Sequence, residues 1–314
     1  MGFYFLSYLC VAVFILAAGY RVYRQITLPV HVRWEIYPVQ HETGTKVAYG
    51  GSYLEELNWW EKKYESSLFN ELKYMVPEIL FIRGLWKENR SLWLVSFPFH
   101  LGLYLMMATF GLLILHTGFT LWRLPAFAAD GVIRGLLDGL IVFTGWSGLI
   151  LGNIGVLGVF YKRLTDPELR SYSSFSDYFN LLFIFVFFLS AFIACLLGDP
   201  SLEGAKAYVF GLLTGGHSLN SYVPGKSVSG RAAIVLASLL VAYIPLTHMS
   251  HMFMKYFLYH NVKWDDAPNL RGGAIEAAIL KNLGLKPTWK AKHVDADGRK
   301  SWHDIASSSP KEMK

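Results

Sequence analysis

Hydrophobic and polar residues do not alternate along this chain. They collect in blocks, and five blocks are long and free of charge. The first runs from Gly2 to Tyr20. The second lies between Arg90 and Arg123, the third covers Gly139 to Tyr161, the fourth lies between Asp177 and Asp199, and the fifth between Arg231 and Lys255. At about 1.5 Å of rise per residue, each predicts a helix able to cross a hydrocarbon core of about 30 Å. Such segments must satisfy their own backbone groups, which a helix does. The expected fold class is therefore an all-α membrane protein with five transmembrane helices. A shorter apolar run, Gly204 to Leu213, is too short to span and is expected to pack on the outer surface.

Charge then orients the spans. Of the 29 Lys and Arg residues, 24 fall in segment 21–90, in the loop 162–177 and in the tail from Lys255. The other side holds only Arg123, Arg134, Lys206, Lys226 and Arg231. The positive-inside rule places the N-terminus outside and the C-terminus in the cytoplasm. The net charge of +6 follows from this asymmetry and calls for no nucleic-acid partner. The first block has no basic residue before it and no A-x-A site after it, so it reads as an uncleaved helix.

Four regions follow: 1–20, the first transmembrane helix; 21–90, a cytoplasmic insertion; 91–260, a four-helix membrane domain; and 261–314, a cytoplasmic tail. The insertion has ten basic and nine acidic residues, a balance that suits a docking platform better than a lipid-sensing helix. The tail is poor in apolar residues after Leu285 and is expected to be ordered mainly by a partner.

Cys10 and Cys195 both sit in apolar blocks, and no CxxC or CxxCH occurs. The chain alone therefore cannot ligate an iron–sulfur cluster or attach a c-type haem. Histidine carries the chemical signal. His100 and His116 lie in the second block, and His248 and His251 in the fifth; His217 precedes the fifth. An ionisable residue within a span marks function, and neutral imidazole is a good axial ligand for haem iron. On a continuous helix His100 stands about 15 Å beyond Arg90, while His251 and His248 stand roughly 6 and 10 Å before Lys255. All three occupy the cytoplasmic half. Gly102 offers a small neighbour for a flat porphyrin, and Lys255 is placed to meet a propionate. A lone histidine would read as a packed polar residue; this matched pair points to haem. His116 faces about 160° away from His100. It reads as structural, as a quinone contact, or as half of a second haem site with His217. Gly148, Gly152, Gly155 and Gly158 line one helix stripe, suited to close packing or to a quinone groove.

The runs "FPFHLGLYL" (97–105) and "IPLTHMSHMFMKYF" (244–257) resemble the gamma subunit of respiratory nitrate reductase, a quinol-oxidising cytochrome b. "VRWEIYP", "YGGSYLEELNWW" and "KYFLYHNVKWDD" look more like the cytochrome b subunits of heterodisulfide-reductase-like complexes, including sulfite-reductase-associated and tetrahaem-cytochrome-associated ones. The resemblance covers most of residues 1–270. It implies haem b held by His100 and His251 as metal ligands, with His248 nearby; Lys255 and His116, from their positions, are the further candidate cofactor contacts. The positions of the family's distal ligands fall on Phe110 and Ala233, which implies one haem and leaves a second without its family ligands. It also implies menaquinone as substrate, a cytoplasmic iron–sulfur partner similar to the heterodisulfide reductase subunit, other complex subunits, and residence in the prokaryotic cytoplasmic (inner) membrane as a multi-pass protein. The expected role is an electron-transfer subunit of a quinone-linked oxidoreductase complex. The alternative is a transporter or proton-conducting protein that uses its intramembrane histidines, although no inverted repeat is visible.

Overall fold

The computed structural model describes residues 2–27, 68–123, 131–217, 227–251, 271–288 and 296–308, with a few single positions between them. Among the described residues every regular element is helical. Five helices are long and apolar enough to cross a membrane: α1 (Gly2–Thr27), α4 (Arg90–Leu121), α5 (Val132–Thr165), α7 (Phe175–Gly198) and the last span, Val228–Leu246. They coincide with the five uncharged blocks, and the protein is an all-helical, multi-pass membrane protein. Between them come α2 (Leu68–Phe81), α3 (Arg83–Glu88), α6 (Pro167–Ser171) and α8 (Glu203–Leu213). The last span comprises α9 (Val228–Tyr243) and a first 3-10 turn, Ile244–Leu246; a second 3-10 turn, His248–Ser250, follows it. Helices α10 (Ala274–Leu283) and α11 (Trp302–Ser307) lie in the tail.

The chain divides into two compact units. One comprises Met1–Ala18 with Pro77–Met249, and the other Gly19–Val76 with Ser250–Lys314. The first is centred on α4 and α5, whose contact runs through glycine. A methyl group on Gly102 would lie 2.5 Å from the backbone nitrogen of Gly152, and one on Gly155 would lie 2.2 Å from that of Phe99. The two backbones therefore touch, which in lipid supplies the dispersion contact that hydrophobicity cannot. Phe188 of α7 closes over Gly152, and Leu113, Ile141, Leu149, Val156, Leu181, Ile184 and Leu240 complete the core. Thr109 adds a hydrogen bond across the seam, donating to the Thr144 hydroxyl at 2.9 Å.

Local chemistry sets the helix ends. The Asn89 side chain accepts from Leu92 N–H at the start of α4, and Ser174 and Asp177 form a capping box at the start of α7. The short helix α8 departs from expectation. It is not a surface element: Gly204, Lys206, Ala207, Val209 and Gly211 are all buried. Gly211 packs on the Tyr4 ring, Tyr4 stacks on Tyr208, and Ser7 of α1 bonds both Tyr208 of α8 (2.8 Å) and Ser238 of α9 (2.7 Å). That polar node joins three helices. The Asp199 carboxylate accepts from Gly204 and Ala205 N–H and so caps α8.

In the second unit the described part of the tail contains two short helices. Trp302 N–H donates to the Leu285 carbonyl at 3.0 Å and Gly298 N–H to that of Pro287 at 3.1 Å, tying the end of α10 to the start of α11.

Candidate functional site

Histidines mark both ends of the first unit. At one end α4 begins, α5 finishes, α7 begins and α9 finishes. His100 sits here, half-buried on α4, between Phe99 and Tyr104. Its Nδ1 lies 2.8 Å from the Ser96 carbonyl. A carbonyl only accepts, so Nδ1 carries the proton. In the neutral ring the lone pair is then on Nε2, the tautomer that ligates a metal. Pro98 lies within α4 without ending it.

His248 is at the same end but does not continue a helix. The α-helix of the last span stops at Tyr243. Ile244 opens a 3-10 turn that contains Pro245, Thr247 is extended, and His248 begins a second turn. The heights of roughly 6 and 10 Å expected for His251 and His248 assume an unbroken helix, which the extended Thr247 interrupts. The His248 side chain is 57% exposed, with Nε2 3.3 Å from Asp177 in the first turn of α7. Asn180 Nδ2 lies 3.2 Å from the same nitrogen, and Asn180 Oδ1 accepts from the Tyr243 hydroxyl at 2.8 Å. Tyr243 thereby orients the amide, so Nδ2 must donate and neutral His248 Nε2 accepts. When protonated, that nitrogen donates to Asp177 instead. The arrangement can move a proton between imidazole and carboxylate.

His251 belongs to the second unit, on a helical turn, with its side chain exposed. Lys255 lies outside the described residues. Gly102 does not offer room for a porphyrin: its missing side chain is filled by the backbone of Gly148 and Gly152. The same contacts assign the glycine stripe of α5 to helix packing along Gly148, Gly152 and Gly155.

At the opposite end His116 is only 3% exposed, and its Nε2 lies 3.5 Å from Asp138 of α5. Lys206 of α8, equally buried, lies 2.7 Å from the same carboxylate and 2.7 Å from Glu203. Arg134 stands 3.9 Å from Asp138. Burial alone would lower the Lys206 pKa, but hydrogen bonds to Asp138 and Glu203 outweigh it and the value is raised, so the ammonium stays charged. His217 is exposed beyond the end of α8. Thus the described neighbours of His116 are the ion cluster of Asp138 and Lys206. Sequence reasoning missed this cluster, and a signal was present: Gly204, Ala207 and Gly211 repeat small residues on one helical face, the mark of close packing, with Lys206 beside them.

No family model matches the chain, and neither a curated protein nor a solved structure matches it.

Proposed function

We propose that the chain is the haem b membrane subunit of a respiratory complex, exchanging electrons between menaquinone/quinol and a cytoplasmic iron–sulfur partner. The observation that carries the reading is the bond from His100 Nδ1 to the Ser96 carbonyl, which fixes the iron-binding tautomer before any ligand arrives. His100 and His251 are the proposed axial ligands, with Lys255 toward a propionate. His248 supports the division of roles, because its Nε2 is held by Asn180 and faces Asp177. It suits proton exchange with a quinone better than ligation. Phe110, at the distal-ligand position of the resembling family, is an exposed side chain on α4, which favours one haem. When bound, haem passes single electrons while a quinone carries two. The proposed orientation has the N-terminus outside, with the insertion and tail on the cytoplasmic side of an inner membrane; the insertion up to Val76 and the tail fall in one compact unit, which supports a common side for the two.

The test is a pyridine haemochrome spectrum of the purified full chain and three variants. His100→Ala and His251→Ala should each lose the low-spin haem signal, and His248→Ala should keep it. Absence of haem from the parent chain, or loss only in His248→Ala, overturns the assignment.

A second reading, proton conduction, is favoured by the chain of groups from exposed Glu203 through Lys206 and Asp138 to buried His116. Proteoliposomes loaded with a pH dye decide it: a haem-independent proton leak abolished by His116→Ala would favour conduction over electron transfer.

A further inference from the structure

The elbow between α2 and α3 carries a feature that the haem reading does not use. Ile82 adopts φ 51°, a left-handed conformation costly for a β-branched residue. Three bonds hold it there. The Glu78 carboxylate accepts from Gly84 N–H at 2.8 Å, the Trp93 indole donates to the Phe81 carbonyl at 2.8 Å, and the Tyr104 hydroxyl donates to the Ile79 carbonyl at 2.7 Å. The last two satisfy carbonyls that the end of α2 would otherwise leave without helix partners. The elbow is shaped by the chain itself.

Pro77, Phe81, Arg83, Trp86 and Trp93 line a notch of about 330 Å³ there. Its walls are aromatic. Trp86 meets Trp93 edge-on with centroids 4.6 Å apart, and Phe81 and Trp86 keep exposed faces. Its rim is cationic. Arg83 belongs to the lining, the Arg90 guanidinium lies 4.9 Å from the centre of the Trp86 ring, and Lys87 follows on α3. Of the nearby acids, Glu78 is engaged by Gly84.

We propose that this notch binds an anionic phospholipid, with the phosphate between Arg83 and Arg90 and the start of one acyl chain against Phe81, Trp86 and Trp93. The argument is complementarity on both counts. A small soluble anion would leave the aromatic walls in water, and a zwitterionic lipid would bring its own ammonium beside the phosphate, against a rim that is already cationic. The notch also lies where α4, a helix able to span, begins. At that depth headgroup and acyl chain meet, and Trp with Arg is the residue pair that the interface favours. The inference is independent of haem.

The test uses the full chain in nanodiscs whose lipid is brominated, reading tryptophan quenching. At equal mole fraction, brominated phosphatidylglycerol should quench more than brominated phosphatidylcholine. Arg83→Gln with Arg90→Gln should remove the preference, weakening apparent affinity about fivefold for each arginine. Arg83→Lys with Arg90→Lys keeps the charge and should retain a preference, a check that stands even if the glutamine variant does not fold. Haem content is common to both lipid arms, so its quenching cancels. Equal quenching by the two lipids in the parent chain overturns the proposal, as does an unchanged preference in the folded glutamine variant. Displacement of the brominated lipid by inorganic phosphate would also overturn it, marking a phosphate site instead.

Discussion

Glycine at 155 and histidine at 100 show how much one atom decides. A Cβ at Gly155 would meet Phe99 backbone, which cannot swing aside, whereas a Cβ at Gly139 on the same helix meets nothing within 4 Å. Gly155→Ala should therefore destabilise the protein by about 1–3 kcal/mol, the range for overpacking. Gly139→Ala should be neutral or stabilising by up to about 1 kcal/mol through helix propensity. Thermal unfolding in one detergent, followed by circular dichroism, ranks the two; equal midpoints would contradict the packing argument. The stripe was legible in the sequence because glycine every three or four residues on a span has few uses. The tautomer of His100 was not, because its partner is a backbone carbonyl, which every residue owns.

Among the elements, α8 depends most on charge. Lys206→Ala would leave Asp138 beside His116 without its nearest cation. The expected cost is about 3 kcal/mol, the low end for breaking a buried pair, since Asp138 keeps 31% exposure. Replacing Lys206 with Met and Asp138 with Leu together should recover most of the loss. Recovery of less than half in a thermal-shift assay would argue that the carboxylate has another task. In the tail, the Ser301 hydroxyl and backbone N–H hold the Asp304 carboxyl below its usual range. Its capping of α11 is thus present above the ordinary carboxylate pKa and lost as pH falls through the depressed value. Hydrogen exchange of Trp302–Ser307, corrected for intrinsic rate, should accelerate on that descent and not in Asp304→Asn. The element level is also where the sequence misleads. A block of 23 residues between charges predicts one rod through His248 and His251, yet Pro245 and the extended Thr247 divide it. Hydropathy counts apolar residues and is blind to that backbone change. It misjudged α8 for a related reason, since 11 residues cannot span but can still be enclosed by neighbours.

For the whole molecule, five spans were readable because a charge-free run of this length has no other home. Sidedness rests on charge counts and can be measured. A C-terminal green fluorescent protein fusion should fluoresce, and an alkaline phosphatase fusion after Thr214 should be active; the reverse pattern would invert the proposed orientation. One consequence follows from the backbone contact of α4 with α5. With no side chain between them at Gly102 and Gly152, these two spans have no rotamers through which to slide. They behave as a single beam, and His100 and His116, 16 residues apart on it, keep a separation of about 24 Å. Breathing of the bundle on the microsecond to millisecond scale is expected between this beam and the helices packed around it, not within it. A ligand entering the first unit would do so by parting other helices from the beam, never by splitting it.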